Sequence, residues 1–224
     1  MTIRSLTPTL MRPLATALLL LVLGGCETAY YSAWEKVGVY KRDLLVERVE
    51  EAQEAQEDAK EEFSTALERF SAVVNIGESD LKSTYEKLND SFEDAEERAE
   101  EVTERIDEVE DVSEDLFKEW RGEIDQISNA NLRGASSRQL RQSEAKYADL
   151  IKAMRRAESR MEPVLVAFRD NVLFLKHNLN AQAIASLKTE LGDIEANVGS
   201  LIREMEASIA ESQAFIKDME LLEG

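Results

Sequence analysis

Apolar and small residues recur along most of this chain in alternating steps of four and three, the spacing that lays a stripe along a helix and seats it against another. The first stripe runs Leu45, Val49, Ala52, Gln56, Ala59, Phe63, Ala66, Phe70 and Val73, with Gln56 its polar exception. The second runs Leu81, Tyr85, Leu88, Phe92, Ala95, Ala99, Val102, Ile106, Val109, Ser113, Leu116 and Trp120, out of character only at Ser113. From Val73 to Leu81 the step is eight residues, so an uninterrupted helix would swing its stripe onto another face. Asn75-Ile76-Gly77-Glu78-Ser79 lies between them, with a glycine suited to closing one helix and a serine suited to capping the next. A tight turn is predicted there.

A polar, glycine-containing stretch from Asn129 to Ser137 follows and reads as a loop whose serines cap a third helix. The third stripe is Leu140, Ser143, Tyr147, Leu150, Met154, Ala157, Met161, Val164, Phe168, Val172 and Leu175. Pro163 lies inside it and predicts a kink, not a break, because the stripe continues past it. The fourth is Ile184, Leu187, Leu191, Ile194, Val198, Leu201, Met205, Ser208, Ser212, Phe215, Met219 and Leu222, widened by Ile202, Ile209 and Ile216. Four helices of about 40 to 50 residues, at 1.5 Å per residue, give a rod of about 60 to 70 Å. The expected fold is all-α, with long antiparallel helices in an up-down-up-down four-helix coiled-coil bundle. A competing arrangement detaches the first two helices as a coiled-coil arm.

Composition agrees with long helices: aromatic residues are 6%, with 9 glycines and 3 prolines in 224 residues. The chain carries 27 basic and 46 acidic residues, a net charge of −19. Such a surface repels nucleic acid and anionic headgroups, so no nucleic-acid partner is expected.

The N-terminus changes the picture. Arg4 and Arg12 precede the apolar run Leu14–Leu23, which ends in Leu23-Gly24-Gly25-Cys26. This is the layout of a secretory signal with a lipoprotein cleavage box. The run is about ten residues, too short to span a bilayer, which takes about twenty. Residues 1–25 are therefore expected to be a cleaved signal peptide, 26–33 a tether lipidated at Cys26, and 34–224 the helical domain. Losing the leader removes two basic residues and no acid, moving the net charge to −21. With Cys26 acylated no thiol remains for disulfides or Cys-metal sites. Tyr30, Tyr31 and Trp34 are candidate membrane-interface aromatics, with the plugging of a bundle end as the alternative.

Tyr30-Tyr31, Trp34-Glu35, Lys41-Arg42-Asp43, Glu119-Trp120 and Leu175-Lys176-His177-Asn178-Leu179-Asn180-Ala181 together resemble an uncharacterised bacterial family of coiled-coil lipoproteins, a domain of unknown function. The likeness covers nearly the whole mature chain. It implies no reaction, cofactor or catalytic residue.

Candidate chemistry is sparse. His177 is the chain's one histidine, and Phe174 stands where a helical Glu-x-x-His metal pattern needs its glutamate. No Gly-x-x-x-x-Gly-Lys-Ser/Thr loop is present to hold a nucleotide. Lys176, His177, Asn178 and Asn180 read either as a polar turn with Asn180 capping the fourth helix or as a partner-docking tip. Acidic runs at Glu50–Glu62 and Glu93–Glu101 carry alanines inside, and a hairpin turning near Gly77 sets Ala59 against Ala95 and Ala55 against Ala99. Their flanks read as a solvated face or as a site for Ca²⁺, Mg²⁺ or a basic partner. On the third helix Arg138, Arg141, Lys146, Lys152, Arg155, Arg156 and Arg160 outnumber the acids and can answer the second.

The expected function is that of a periplasmic lipoprotein, anchored in the inner or outer membrane, whose rod is a non-enzymatic structural or protein-interaction module. The alternative is a cation- or ligand-binding accessory lipoprotein using its acidic face or distal tip. Neither metal nor cofactor is expected beyond the lipid on Cys26. The partners are the membrane and an envelope protein, and oligomerisation stays open.

Overall fold

In the computed structural model, which describes residues 41–75 and 81–221, each stripe becomes one helix. They are α1 (Lys41–Asn75), α2 (Leu81–Gln126), α3 (Ala130–His177) and α4 (Ala181–Glu220). The all-α class and the helical bundle are as expected. At 1.5 Å per residue the 48 residues of α3 extend about 70 Å.

The described stripe positions are buried where the spacing puts them, except Tyr85, Tyr147 and Leu191, which are half-buried. Phe63, Phe70, Phe168 and Phe215 are among the largest fully enclosed side chains, each worth about 2 kcal/mol of apolar burial. Phe70 of α1 meets Phe168 of α3 edge-on, with ring centroids 6.3 Å apart. From Leu44 onward α1 belongs to the same compact unit as α2, α3 and α4, so the detached-arm arrangement is not found. At the start of α2 the buried position is Thr84, while Tyr85 is half-exposed. A phenol at a helix end reaches water more easily than a residue in mid-seam.

Ion pairs reveal the direction of neighbouring helices. Between α1 and α2, Arg48 reaches Glu108, Arg98 reaches Asp58 and Arg105 reaches Glu51, at 3.8, 3.7 and 3.7 Å. Residue numbers rise on one helix as they fall on the other, so the two run antiparallel, close to the register that sets Ala59 against Ala95. Between α2 and α3, Arg121 pairs with Glu144, Arg155 with Asp107 and Arg169 with Glu96, again in opposite senses. Lys146 with Asp218 and Arg156 with Glu204 do the same for α3 and α4.

The loop expected from Asn129 to Ser137 is largely helix. Asn129 is the cap of α3, its side chain accepting from the backbone N–H of Asn131 and Leu132 at 2.9 and 3.2 Å. Only Ile127, Ser128 and Asn129 stand between the two helices. Ser137 Oγ donates to the Arg133 carbonyl within the helix, and Ser136 Oγ accepts from Trp120 Nε1 at 3.0 Å. These serines brace the hairpin instead of capping it. Gly134 sits in the first turns of α3, where glycine costs about 1 kcal/mol relative to alanine, an amount the cap and the packing absorb. Past Pro163, α3 continues unbroken to His177.

Polar groups interrupt the core at defined levels. Ser113 Oγ donates to the Glu110 carbonyl at 2.8 Å and Ser212 Oγ to the Ser208 carbonyl at 3.1 Å. The amide of Gln56, fully buried in α1, has no hydrogen-bond partner at either end, and neither do the hydroxyls of Ser143 and Ser208.

Candidate functional site

Cys26, Tyr30, Tyr31 and Trp34, with the expected signal peptide, tether and turn at Gly77, lie outside the described residues. The tip between α3 and α4 is described in full. Asn178 Nδ2 donates to the Phe174 carbonyl at 2.9 Å, and its backbone N–H donates to the Leu175 carbonyl at 3.0 Å. Asn180 Oδ1 accepts from the Ala183 N–H at 3.0 Å, which caps α4. The two asparagines thus hold the turn, and Lys176 and His177 face solvent beside it.

Around them lies a feature that reading the chain by its core stripes passes over. Six large apolar side chains are conspicuously exposed among the described residues, and four of them, Val166, Leu173, Phe174 and Leu179, crowd the end of α3 and its turn. The signal for the last three is in the sequence: no Asp or Glu occurs between Asp170 and Glu190.

The acidic flanks of α1 and α2 are stapled, not merely solvated. Arg48 and Arg105 each contact both Glu51 and Glu108, and Arg98 contacts Asp58 and Glu101. Donating to Glu108 holds the Arg105 guanidinium above its usual range, and donating to Glu101 does the same for Arg98. Each carboxylate crowd therefore has a cation threaded through it.

Arg155 is the main link from α3 to acidic α2. Burial opposes its charge, but hydrogen bonds to Glu110, Asp107 and Glu158 outweigh that and raise its pKa. Next to it, burial pushes the Tyr147 phenol up, opposed by a hydrogen bond with Ser113. The Tyr147 ring also packs edge-on to Phe117, with centroids 5.5 Å apart. Of the basic residues expected to answer α2, Arg155 does so, while Lys146 and Arg156 turn to α4. Arg169, which charge counting did not single out, completes the α2 contact from 6.0 Å over the Phe92 ring.

Between α2 and α3 runs an open groove of about 340 Å³. Ala99, Met161 and Leu165 line it together with Glu96, Glu100, Glu158 and Glu162, and Arg169 also lies along it. It can receive a cationic group with some apolar surface. Among the described residues no group of three or more His, Cys, Asp or Glu side chains is arranged to hold a metal ion. No described helix is long and apolar enough to cross a membrane.

Comparison with known proteins gives one positive result. No curated protein matches the sequence. The family model described as Protein of unknown function (DUF2959) matches residues 30–219, which takes in all four helices almost to the end of α4. The chain belongs to that family.

Proposed function

We propose that this chain is a bacterial envelope lipoprotein, tethered through Cys26, whose helical rod serves as a non-enzymatic structural or protein-interaction module in the periplasm. The observation that carries the reading is the Leu23-Gly24-Gly25-Cys26 box directly after a short apolar run. Its support from the fold is the way the chain is spent. Long seams, capped turns and cross-helix ion pairs make up the described helices, and four of the six exposed large apolar residues among them gather at one end. The test is fractionation of native cells. Wild type should sediment with membranes, and Cys26→Ser should shift to the soluble or signal-retaining precursor form. A Cys26→Ser protein that is processed and sediments as wild type does overturns the tether.

The groove between α2 and α3 supports a second reading, capture of a cationic ligand by the acidic face. In calorimetry at matched ionic strength, Ca²⁺ should then give saturable heat that Glu100→Gln/Glu162→Gln removes. Absence of that heat retires Ca²⁺ as the ligand.

A further inference from the structure

The outer face of α3 near its C-terminus carries a second, short stripe. Val166, Asp170, Leu173 and His177 follow one another in steps of four, three and four, the same spacing as the buried seams, yet all four are exposed. Phe174 flanks the stripe and Leu179 extends it at the turn; Leu173 is 50% exposed and Phe174 41%. Neither Asp170 nor His177 makes an ion pair or hydrogen bond within the described chain.

We propose that this stripe is the contact by which a second copy of the chain associates, with the two α3 ends packed antiparallel about a twofold axis at Leu173. The stripe is self-complementary in that arrangement and in no parallel one. Around a twofold at Leu173, Leu173 meets itself, and Asp170 of each copy falls opposite Lys176 and within one residue of His177 of the other. Val166 falls opposite the turn that carries Leu179. Apolar layers thus alternate with a carboxylate set against the Lys176-His177 pair, and an isologous interface needs such self-matching.

Charge selects the place. A chain of net charge −19 repels its own copies along most of its length, whereas the stretch from Asn171 to Thr189 holds Lys176, His177 and Lys188 and no acid. The patch spans about three helical turns, well short of the roughly 1,000 Å² total of a stable interface, so the association is transient. It does not depend on the lipid anchor.

Cysteine cross-linking in cells tests the geometry on the full chain, whose one native thiol is Cys26. A Leu173→Cys variant treated with diamide should give a covalent dimer, because the twofold brings position 173 against itself. Leu132→Cys, 61% exposed at the other end of α3, is the control for random encounter and should give at least fivefold less. Asp170→Arg should lower the Leu173→Cys yield, His177→Asp should lower it too, and the two together should restore it. Equal dimer yields from positions 132 and 173 overturn the proposal. So does a 173 adduct only to some other protein, or a charge swap that does not rescue.

Discussion

The seam between α1 and α2 and the outer stripe of α3 are written in the same four-and-three spacing and meet opposite fates. One is closed by a neighbouring helix, with Val49, Ala59, Phe63 and Phe70 sealed from water. The other faces solvent with Leu173 half-exposed. Each carries a polar residue among apolar ones, and those residues show the difference. Gln56 is enclosed with its amide unpaired, a cost that the surrounding burial covers. Asp170 keeps its hydration and sits where an opposite charge can be presented to it. Spacing therefore marks a surface as able to pack a helix, and burial marks whether this chain has already supplied that helix.

Charge in the seams should separate the two surfaces most. Leu88→Asp, at a fully buried position of α2, is expected to destabilise by about 3 to 5 kcal/mol in urea unfolding, while Leu173→Asp leaves monomer stability within about 0.5 kcal/mol. Glu86→Ala, on the exposed side of α2, should behave like Leu173→Asp. Similar losses for Leu88→Asp and Leu173→Asp would mean that the α3 stripe is packed in solution.

A polar-to-apolar change in the closed seam should work the other way. Gln56→Leu removes a buried amide with no partner and is expected to stabilise by about 1 to 2 kcal/mol in the same assay. A loss of stability would show that the amide is bonded in solution.

Removing a staple comes next. Arg155→Ala gives up contacts to Asp107, Glu110 and Glu158 and should cost about 1 kcal/mol, a modest figure because its partners are partly exposed to solvent. The smallest effect is that of one partly exposed pair. A double-mutant cycle on Arg105 and Glu51 should give about 0.5 kcal/mol at low salt and fade as the screening length drops from about 30 Å at 0.01 M to about 3 Å at 1 M. A coupling that ignores salt would contradict a staple open to solvent on one side.

The seams were legible in the chain because each is long enough for its period to show, and the helix order follows from them. The stretch from Asn129 to Ser137 was misread because glycine and serine are turn-formers on average. There Asn129 alone supplies the cap, and Ser136 and Ser137 bond inside the hairpin. The staples were not legible, since Arg98, Arg105 and Arg169 meet their carboxylates across helices whose register is set by the cores. Counting charge along one helix sees crowding where the fold has interleaved opposite signs. The α3 stripe was written in the sequence, but a second period overlaid on a stronger one is noticed only when burial separates the two faces.

The tethered rod stands or falls on one residue, and the intact mass of the protein purified from native membranes reads it directly. The account predicts a chain beginning at Cys26, with no residue before it, carrying the added mass of a diacylglyceryl group and, where the amine is acylated, a further acyl chain. A mature chain that starts elsewhere, or one in which Cys26 bears a free thiol, would contradict it.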